Sequence, residues 1–484
     1  MSSSPAAEVP NNPASSSGKT SPVPPDEKVP LRTKLAFGAG SLVDNMTGNS
    51  IHQLANPVYN IALGVNPAVI GAILAVGRLL DAVTDPLIGS FSDNFRSRWG
   101  RRRPLIIAGA FLTGPILLAM FFFPRGWSPL AYSIYFAIAM LLFFPAFTLF
   151  SVPLKGFQYE LTRDYHERTR VSAVVAFLMP IGGILVSWLF ALTQHPSFED
   201  TIEGARYTVA LLMVIIMTIG ILPALSSKEK EYVHVRHQQR VPLMRNVWGL
   251  LKNKPLLLLS IAGLATLLGI FTVYSLGLYL NIYYVHGGDM KRASILHGFI
   301  TTAYQVASMV ATPFIAWAAT RMGKRRAFFG CLGVALAGTV TKLWCYNPEM
   351  PNLMFIPMVL MGIGMSGFWI LLASMMADVT DHAELLQGVR NEASVGAVSA
   401  WINKSGLSLA FMFSGFALVA TGFDEKLGGA QTESTIFWMR VLFALVPALA
   451  LIVAIICIRL YPITEDVARA TRQALDARRQ AAAQ

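Results

Sequence analysis

Apolar stretches as long as or longer than the ~20 residues a helix needs to cross the hydrocarbon core recur along this chain. They lie at roughly 35–63, 67–93, 104–124, 129–157, 170–194, 206–225, 255–285, 292–320, 326–346, 352–378, 394–422 and 434–460. Lipid offers no partner to a backbone N–H or C=O, so such stretches fold as helices. One long polar segment, 226–254, separates the sixth from the seventh. The predicted fold is an all-α membrane protein of twelve transmembrane helices in two six-helix bundles, 34–225 and 255–460. Residues 1–33, rich in Ser, Pro and Ala with no apolar core, read as a disordered tail. Residues 461–484 read as a second tail carrying a short, exposed amphipathic helix.

Charge is scarce and placed in loops. Only 14% of residues are charged, against about 25% in soluble domains. The net charge of +12 would suit nucleic acid, but the bases cluster between apolar runs, where they report orientation. Arg96, Arg98, Arg101, Arg102 and Arg103 follow the second run, and Arg163, Arg168 and Arg170 the fourth. Lys228, Lys230, Arg236, Arg240 and Arg245 fill the central segment; Arg321, Lys324, Arg325 and Arg326 follow the eighth run. The opposite loops hold Arg125, Arg206, Lys291, Arg292 and Lys426, partly offset by acids. Both termini and the central linker are therefore expected to be cytoplasmic, in the inner membrane if the source is bacterial. Cys331, Cys345 and Cys457 are dispersed and read as packing residues. No nucleophile–base pair and no zinc-ligand spacing suggests an enzyme, and no cofactor or nucleic-acid partner is expected.

Residues 77–86, Gly-Arg-Leu-Leu-Asp-Ala-Val-Thr-Asp-Pro, place Asp81 and Asp85 on one face of the second helix, with Arg78 one turn earlier. Two carboxylates at that spacing repel even in water and are costlier in hydrocarbon. A proton, a metal cation or a basic partner must resolve them, which suggests a coupling-ion site; the alternative is a purely structural knot. Few other ionisable groups fall at membrane depth. They are Asp44 beside Asn45 in the first helix, Lys155 in the fourth, Lys342 near the end of the ninth and Lys404 in the eleventh. Lys404 lies too deep to snorkel, so the second-helix aspartates are its expected partners. Lys342 reads as a snorkelling anchor. Trp401 and the tyrosines Tyr274, Tyr279, Tyr283, Tyr284 and Tyr304 are candidates to stack on a sugar ring.

The halves echo each other. Arg98-Trp99-Gly100-Arg101-Arg102-Arg103 is answered by Arg321-Met322-Gly323-Lys324-Arg325-Arg326, and the segment from Glu160 to Arg168 by Asp378-Val379-Thr380-Asp381. Internal repeats are how secondary transporters build two gates around one site. Arg101, Glu160, Arg168, Arg321 and Asp381 are accordingly expected to latch a cytoplasmic gate.

The motif Arg78-x-x-Asp81-x-x-x-Asp85-Pro86-x-x-Gly89, followed by Arg98-Trp99-Gly100-Arg101, resembles that of the glycoside–pentoside–hexuronide:cation symporters of the major facilitator superfamily. Val152-Pro153, the Tyr165–Arg170 loop, Val379-Thr380-Asp381 and Lys404 extend the resemblance over about residues 32–460. It implies cation-coupled (H⁺ or Na⁺) symport of a sugar or glycoside by alternating access, by a functional monomer. It also implies that Asp81, Asp85, Thr84 and Thr148 hold the cation, with Lys404 and Arg78 as charge partners. Substrate contacts are implied near Asp44, Asn45, Ser151 and Lys155. Here the chain departs from the family pattern: Ser151 replaces an acid, Lys155 an aromatic, and Asn45 an aspartate. This exchange of acid for base suits an acidic substrate such as a hexuronide, and the loss of a carboxylate favours H⁺. The alternatives are a cation-coupled lysolipid carrier of the same fold and a non-transporting membrane sensor.

Overall fold

The computed structural model describes residues 27–162, 164–227, 253–387, 392–424 and 427–483. The basic residues of the central segment, Arg163, Lys426 and residues 1–26 of the expected tail lie outside the described residues. Every regular element among the described residues is helical.

The N-terminal half comprises α1 (Leu31–Ala55, continued by a π-helical turn Asn56–Ala62), α2 (Pro67–Asn94), α3 (Arg103–Ala119), α4 (Pro129–Glu160), α5 (Tyr165–Ser187, continued by Leu189–Thr193) and α6 (Thr201–Ile219, continued by Leu222–Ser226). The C-terminal half comprises α7 (Lys254–Thr272, continued by Tyr274–Tyr279 and a π-helical turn Leu280–Val285), α8 (Met290–Met322), α9 (Lys324–Cys345), α10 (Phe355–Gln387), α11 (Glu392–Ala420) and α12 (Glu433–Leu460). A final helix, α13 (Glu465–Ala483), follows. Residues 31–33 of the expected tail are thus already helical, because Pro30 ends the extended lead-in and Leu31 opens the first turn.

Short polar residues fix the start of seven of the described helices. The side chains of Asn66, Ser128, Asp164, Asp200, Asn253, Asp289 and Thr432 each accept from a backbone N–H of their helix's first turn. Pro67, Pro129 and Pro255 occupy first-turn positions where their missing N–H costs nothing.

Ten of the described helices are long and apolar enough to cross a membrane. Arg103–Ala119 is apolar but shorter. α1 falls outside that set because it carries Asp44, Asn45, Asn49, His52 and Gln53. Each half has its own aromatic and aliphatic core. Phe37, Tyr59, Phe136, Phe143, Phe150 and Phe157 fill the first; Leu259, Leu267, Phe328, Leu332, Phe368 and Leu451 fill the second.

Two helix pairs carry much of the contact between the halves. α2 lies on α11, where a Cβ on Gly71 would stand 2.6 Å from Phe411 O and one on Gly415 would stand 2.2 Å from Pro67 O. Only glycine permits that approach. Ser408 Oγ donates to Ala75 O at 2.8 Å in the same seam. α5 meets α8, where Trp188 Nε1 donates to Thr302 Oγ1 at 3.1 Å.

The start and the end of the described chain lie on one face. Val29 N donates to Glu167 Oε1 at 3.1 Å, at the start of α5, while Arg472 of α13 reaches Asp378 Oδ1 at 3.3 Å, towards the end of α10. The tight contacts between the halves lie towards the opposite face. On the terminal side, the Lys155 and Asp85 side chains remain 59% and 36% exposed although they sit inside long apolar helices. An exposed ammonium at that depth needs water. The halves therefore enclose a gap that opens on the face carrying both ends of the chain.

A charge-balanced site between the two halves

Helical spacing places Arg78, Asp81, Thr84 and Asp85 on the stretch of α2 that faces α4 and α11. Across the seam, α11 supplies Lys404. Its Nζ lies 2.9 Å from Asp81 Oδ2 and 2.5 Å from Asp85 Oδ2, and donates to Asp81 O at 3.1 Å. From α4, Thr148 Oγ1 donates to Asp81 Oδ1 at 3.2 Å and lies 3.2 Å from Thr84 Oγ1. Arg78 Nη1 lies 3.8 Å from Asp81 Oδ2. All six residues expected at the cation site or beside it therefore converge.

Arg78 is itself held from α1. Its Nη2 is 3.3 Å from His52 Nε2, and the His52 ring stacks on Phe411 of α11 with centroids 4.1 Å apart and planes 10° from parallel. A second pair stands one helix further on. Lys155 Nζ lies 3.2 Å from Asp44 Oδ2 and donates to Ser151 Oγ at 2.8 Å. Asp44, Asp81 and Asp85 thus face Arg78, Lys155 and Lys404: three carboxylates against three bases. The cluster is neutral by its own side chains, which is how ionised groups persist at this depth.

The remaining substrate candidates divide. Asn45 lies on α1 beside Asp44, where its backbone O accepts from Asn49 Nδ2 at 2.8 Å. Trp401, one turn before Lys404, is 67% exposed.

The expected gate residues sit on the terminal face, and most pair inside their own half. Arg101 Nη2 lies 2.5 Å from Glu160 Oε1, and Arg102 Nη2 bridges Glu160 at 3.0 Å and Asp93 at 2.7 Å. In the C-terminal half, Lys324 Nζ lies 2.7 Å from Asp378 Oδ2, and Arg472 of α13 reaches Asp381 at 3.8 Å. Two residues take other positions. Arg168 Nε donates to Thr162 O at 2.9 Å, folding back on its own loop, and Arg321 stacks over Trp317 at 5.9 Å on an exposed surface. With the gap open on this side, neither guanidinium is placed as a latch.

Closure on the opposite face rests on uncharged groups to which the sequence assigned no such role. Tyr274 OH donates to Gln53 Oε1 at 3.1 Å, Asn56 Nδ2 to Ser275 Oγ at 3.0 Å, and Tyr279 OH to Asn60 Oδ1 at 2.5 Å. Ser414 Oγ adds a donor to Ser275 Oγ at 2.9 Å. Tyr279, a candidate for sugar stacking, is fully buried in this seam and cannot serve that role here. The available signal was spacing: residues 53, 56 and 60 share one face of α1 and its π-helical extension. Lys342 also departs from expectation. It is buried, with Nζ 4.0 Å from the centre of the Phe443 ring, because the helix turns it towards α12 rather than towards the interface.

Residues 36–465 match the family described as MFS/sugar transport protein, nearly the whole described chain. The chain belongs to that family. Among its relatives is an uncharacterized symporter, sll1374, of Synechocystis, 25% identical over 94% of this chain and 98% of the relative. The glucuronide carrier protein homolog of Escherichia coli is 21% identical over 91% of this chain and 94% of the relative. A solved bacterial homologue of the human lysosomal transporter Spinster superposes with a TM-score of 0.66 at 13% identity, over 92% of this chain and 98% of that one, which shows the fold alone. The protein is therefore an integral, multi-pass membrane protein of the major facilitator type, as the resemblance to glycoside–pentoside–hexuronide symporters implies. Its family and relatives are membrane transporters, not enzymes.

Proposed function

We propose that this protein is a cation-coupled symporter of a sugar or glycoside, working by alternating access through twelve transmembrane helices in two six-helix bundles with cytoplasmic termini. The observation that carries this reading is the bridge from Lys404 to both aspartates. It ties the charge state of the pair directly to the contact between the halves. A cation arriving at Asp81 and Asp85 competes with Lys404, weakening one interface and favouring another. Only such differential binding lets one flux drive another.

The bridge also favours a proton over sodium. Lys404 Nζ already fills the space between Asp81 Oδ2 and Asp85 Oδ2, so a metal ion must displace it. A proton on either carboxylate breaks the pairing without needing that space.

An acidic glycoside suits Lys155, whose side chain is 59% exposed and, among the described residues, is held by Asp44 and Ser151. The name of the glucuronide carrier relative agrees with a sugar acid as cargo. The test is counterflow in proteoliposomes with methyl glycosides and methyl glycosiduronates of glucose, galactose and xylose. Exchange of at least one glycoside, stronger for the acids, supports the reading. Binding of a glycoside without exchange points to a sensor; no binding of any sugar removes the assignment.

A further inference from the structure

The cation cluster and Lys155 leave one feature of α1 unused. Asn45, Asn49, Gln53, Asn56 and Asn60 fall within one narrow arc of the helix, because steps of four, four, three and four residues keep returning to the same side. The outer three members touch the C-terminal half, as described above. That contact fixes the direction of the arc: its inner members, Asn45 and Asn49, face the gap between the halves.

Two further observations mark that end as a place for a polar ligand. Gln53 is 6% exposed, yet its Nε2 has no hydrogen-bond partner among the described residues, although its Oε1 accepts from Tyr274. A buried amide donor without a partner is destabilising, and a ligand that accepts from it removes that cost. From the opposite half, Gln305 of α8 reaches the inner end of the arc, at Asn45. A Cβ on Gly183 would stand 1.9 Å from Gln305 Nε2 and 3.5 Å from Asn45 Oδ1, so the two amides converge over one glycine of α5.

Resting on the glycoside reading, we infer that Asn49, Gln53 and Gln305 form a hydroxyl-reading subsite at the closed end of the gap, which takes the uncharged, polyhydroxylated face of the substrate. The chemistry is that of the primary amide. Each presents one acceptor oxygen and two donor hydrogens, and neighbouring sugar hydroxyls each donate and accept, so an amide pairs with two at once. An ammonium cannot accept and a carboxylate cannot donate. The position gives the subsite a second consequence. Gln53 holds Tyr274 with its oxygen while offering its nitrogen to the ligand, so the group that reads the sugar is also a member of the far seam. Lys155 and this subsite divide the work: the base meets a negative charge and the amides meet the ring.

The test uses the full-length protein in proteoliposomes, with the best-exchanged glycoside of the panel above and its mono-deoxy analogues. Asn49→Ala and Gln305→Ala are compared with the unsubstituted protein and with Asn56→Ala, which loses a seam contact only. The subsite variants are expected to raise KM for the parent glycoside about tenfold, the worth of one neutral hydrogen bond. They are also expected to lose discrimination against one particular deoxy analogue, whose own KM stays unchanged. Asn56→Ala is expected to alter maximal exchange of parent and analogue alike. If both subsite variants keep the parental KM and the full deoxy discrimination, the subsite is overturned while the glycoside reading stands. If the unsubstituted protein exchanges no glycoside at all, both fall together.

Discussion

Lys404 Nζ sits between Asp81 and Asp85, 2.9 Å from one carboxylate and 2.5 Å from the other, and reaches them from the opposite half of the molecule. Two like charges one turn apart on a membrane helix would otherwise repel at close range. One ammonium compensates both and, in doing so, fastens α11 to α2.

Replacing Lys404 by Ala leaves three carboxylates facing two bases. Removing one member of a buried pair costs about 3–5 kcal/mol, and the partial exposure of Asp85 brings the expected loss to the lower end. Thermal unfolding in detergent should therefore fall clearly for Lys404→Ala, and Lys404→Ala/Asp85→Asn should recover part of the loss. Equal losses in the single and double variants would show that the bridge carries no coupling.

Lys155→Ala tests charge at the substrate end. A hydrogen bond to a charged group contributes about 1.5–3 kcal/mol, so KM for methyl glycosiduronates should rise at least tenfold while neutral glycosides change little. Competition counterflow reads both in one experiment. An equal loss for acids and neutral sugars would assign Lys155 to holding Asp44 alone.

The α2–α11 seam makes a prediction about two glycines in similar helices. Gly415→Ala would push a methyl group to 2.2 Å from Pro67 O, and a backbone atom cannot swing aside. Exchange should drop at least tenfold, with the protein still present in the membrane. At Gly330 no atom lies within 4 Å of the new Cβ, so Gly330→Ala should keep full exchange and match or exceed the parental melting temperature. Similar behaviour of the two variants would deny the seam its importance.

Tyr279→Phe removes the donor to Asn60 Oδ1 and leaves a buried acceptor unpaired, at about 1–3 kcal/mol. Closure of the face opposite the chain ends should weaken. A cysteine placed at Ile61, in a background without the natural cysteines, should then react with a bulky maleimide several-fold faster. An unchanged rate would mean that the Tyr274 and Ser275 contacts suffice for closure.

The charged part of the site was legible in the sequence because charge in an apolar run has few solutions. Asp81, Asp85 and Lys404 each needed a partner, and among so few ionisable groups the pairing followed. The seam of Gln53, Asn56 and Asn60 was equally present as a spacing, but an amide can be satisfied by its own helix, by water or by a neighbour. Nothing in one helix says which. The same holds for Tyr279, whose hydroxyl suits a sugar or a seam equally until Asn60 is opposite it. Lys342 shows the limit most plainly. Its place near a helix end fits a snorkelling side chain, but the direction of its Cβ decides, and that direction depends on where α12 packs. The polar face of α1 had a further effect: the stretch 35–63 reads as a span, yet its helix falls outside those apolar enough to cross a membrane.

The measurement that tests the central proposal most directly is glycoside uptake into proteoliposomes under an imposed proton gradient or an imposed sodium gradient, with Asp85→Asn run alongside. The expected result is accumulation driven by the proton gradient and indifferent to sodium, lost in Asp85→Asn while counterflow of the same glycoside persists. Accumulation that ignores both gradients, or that survives in Asp85→Asn, would contradict the coupling of the aspartate–lysine bridge to transport.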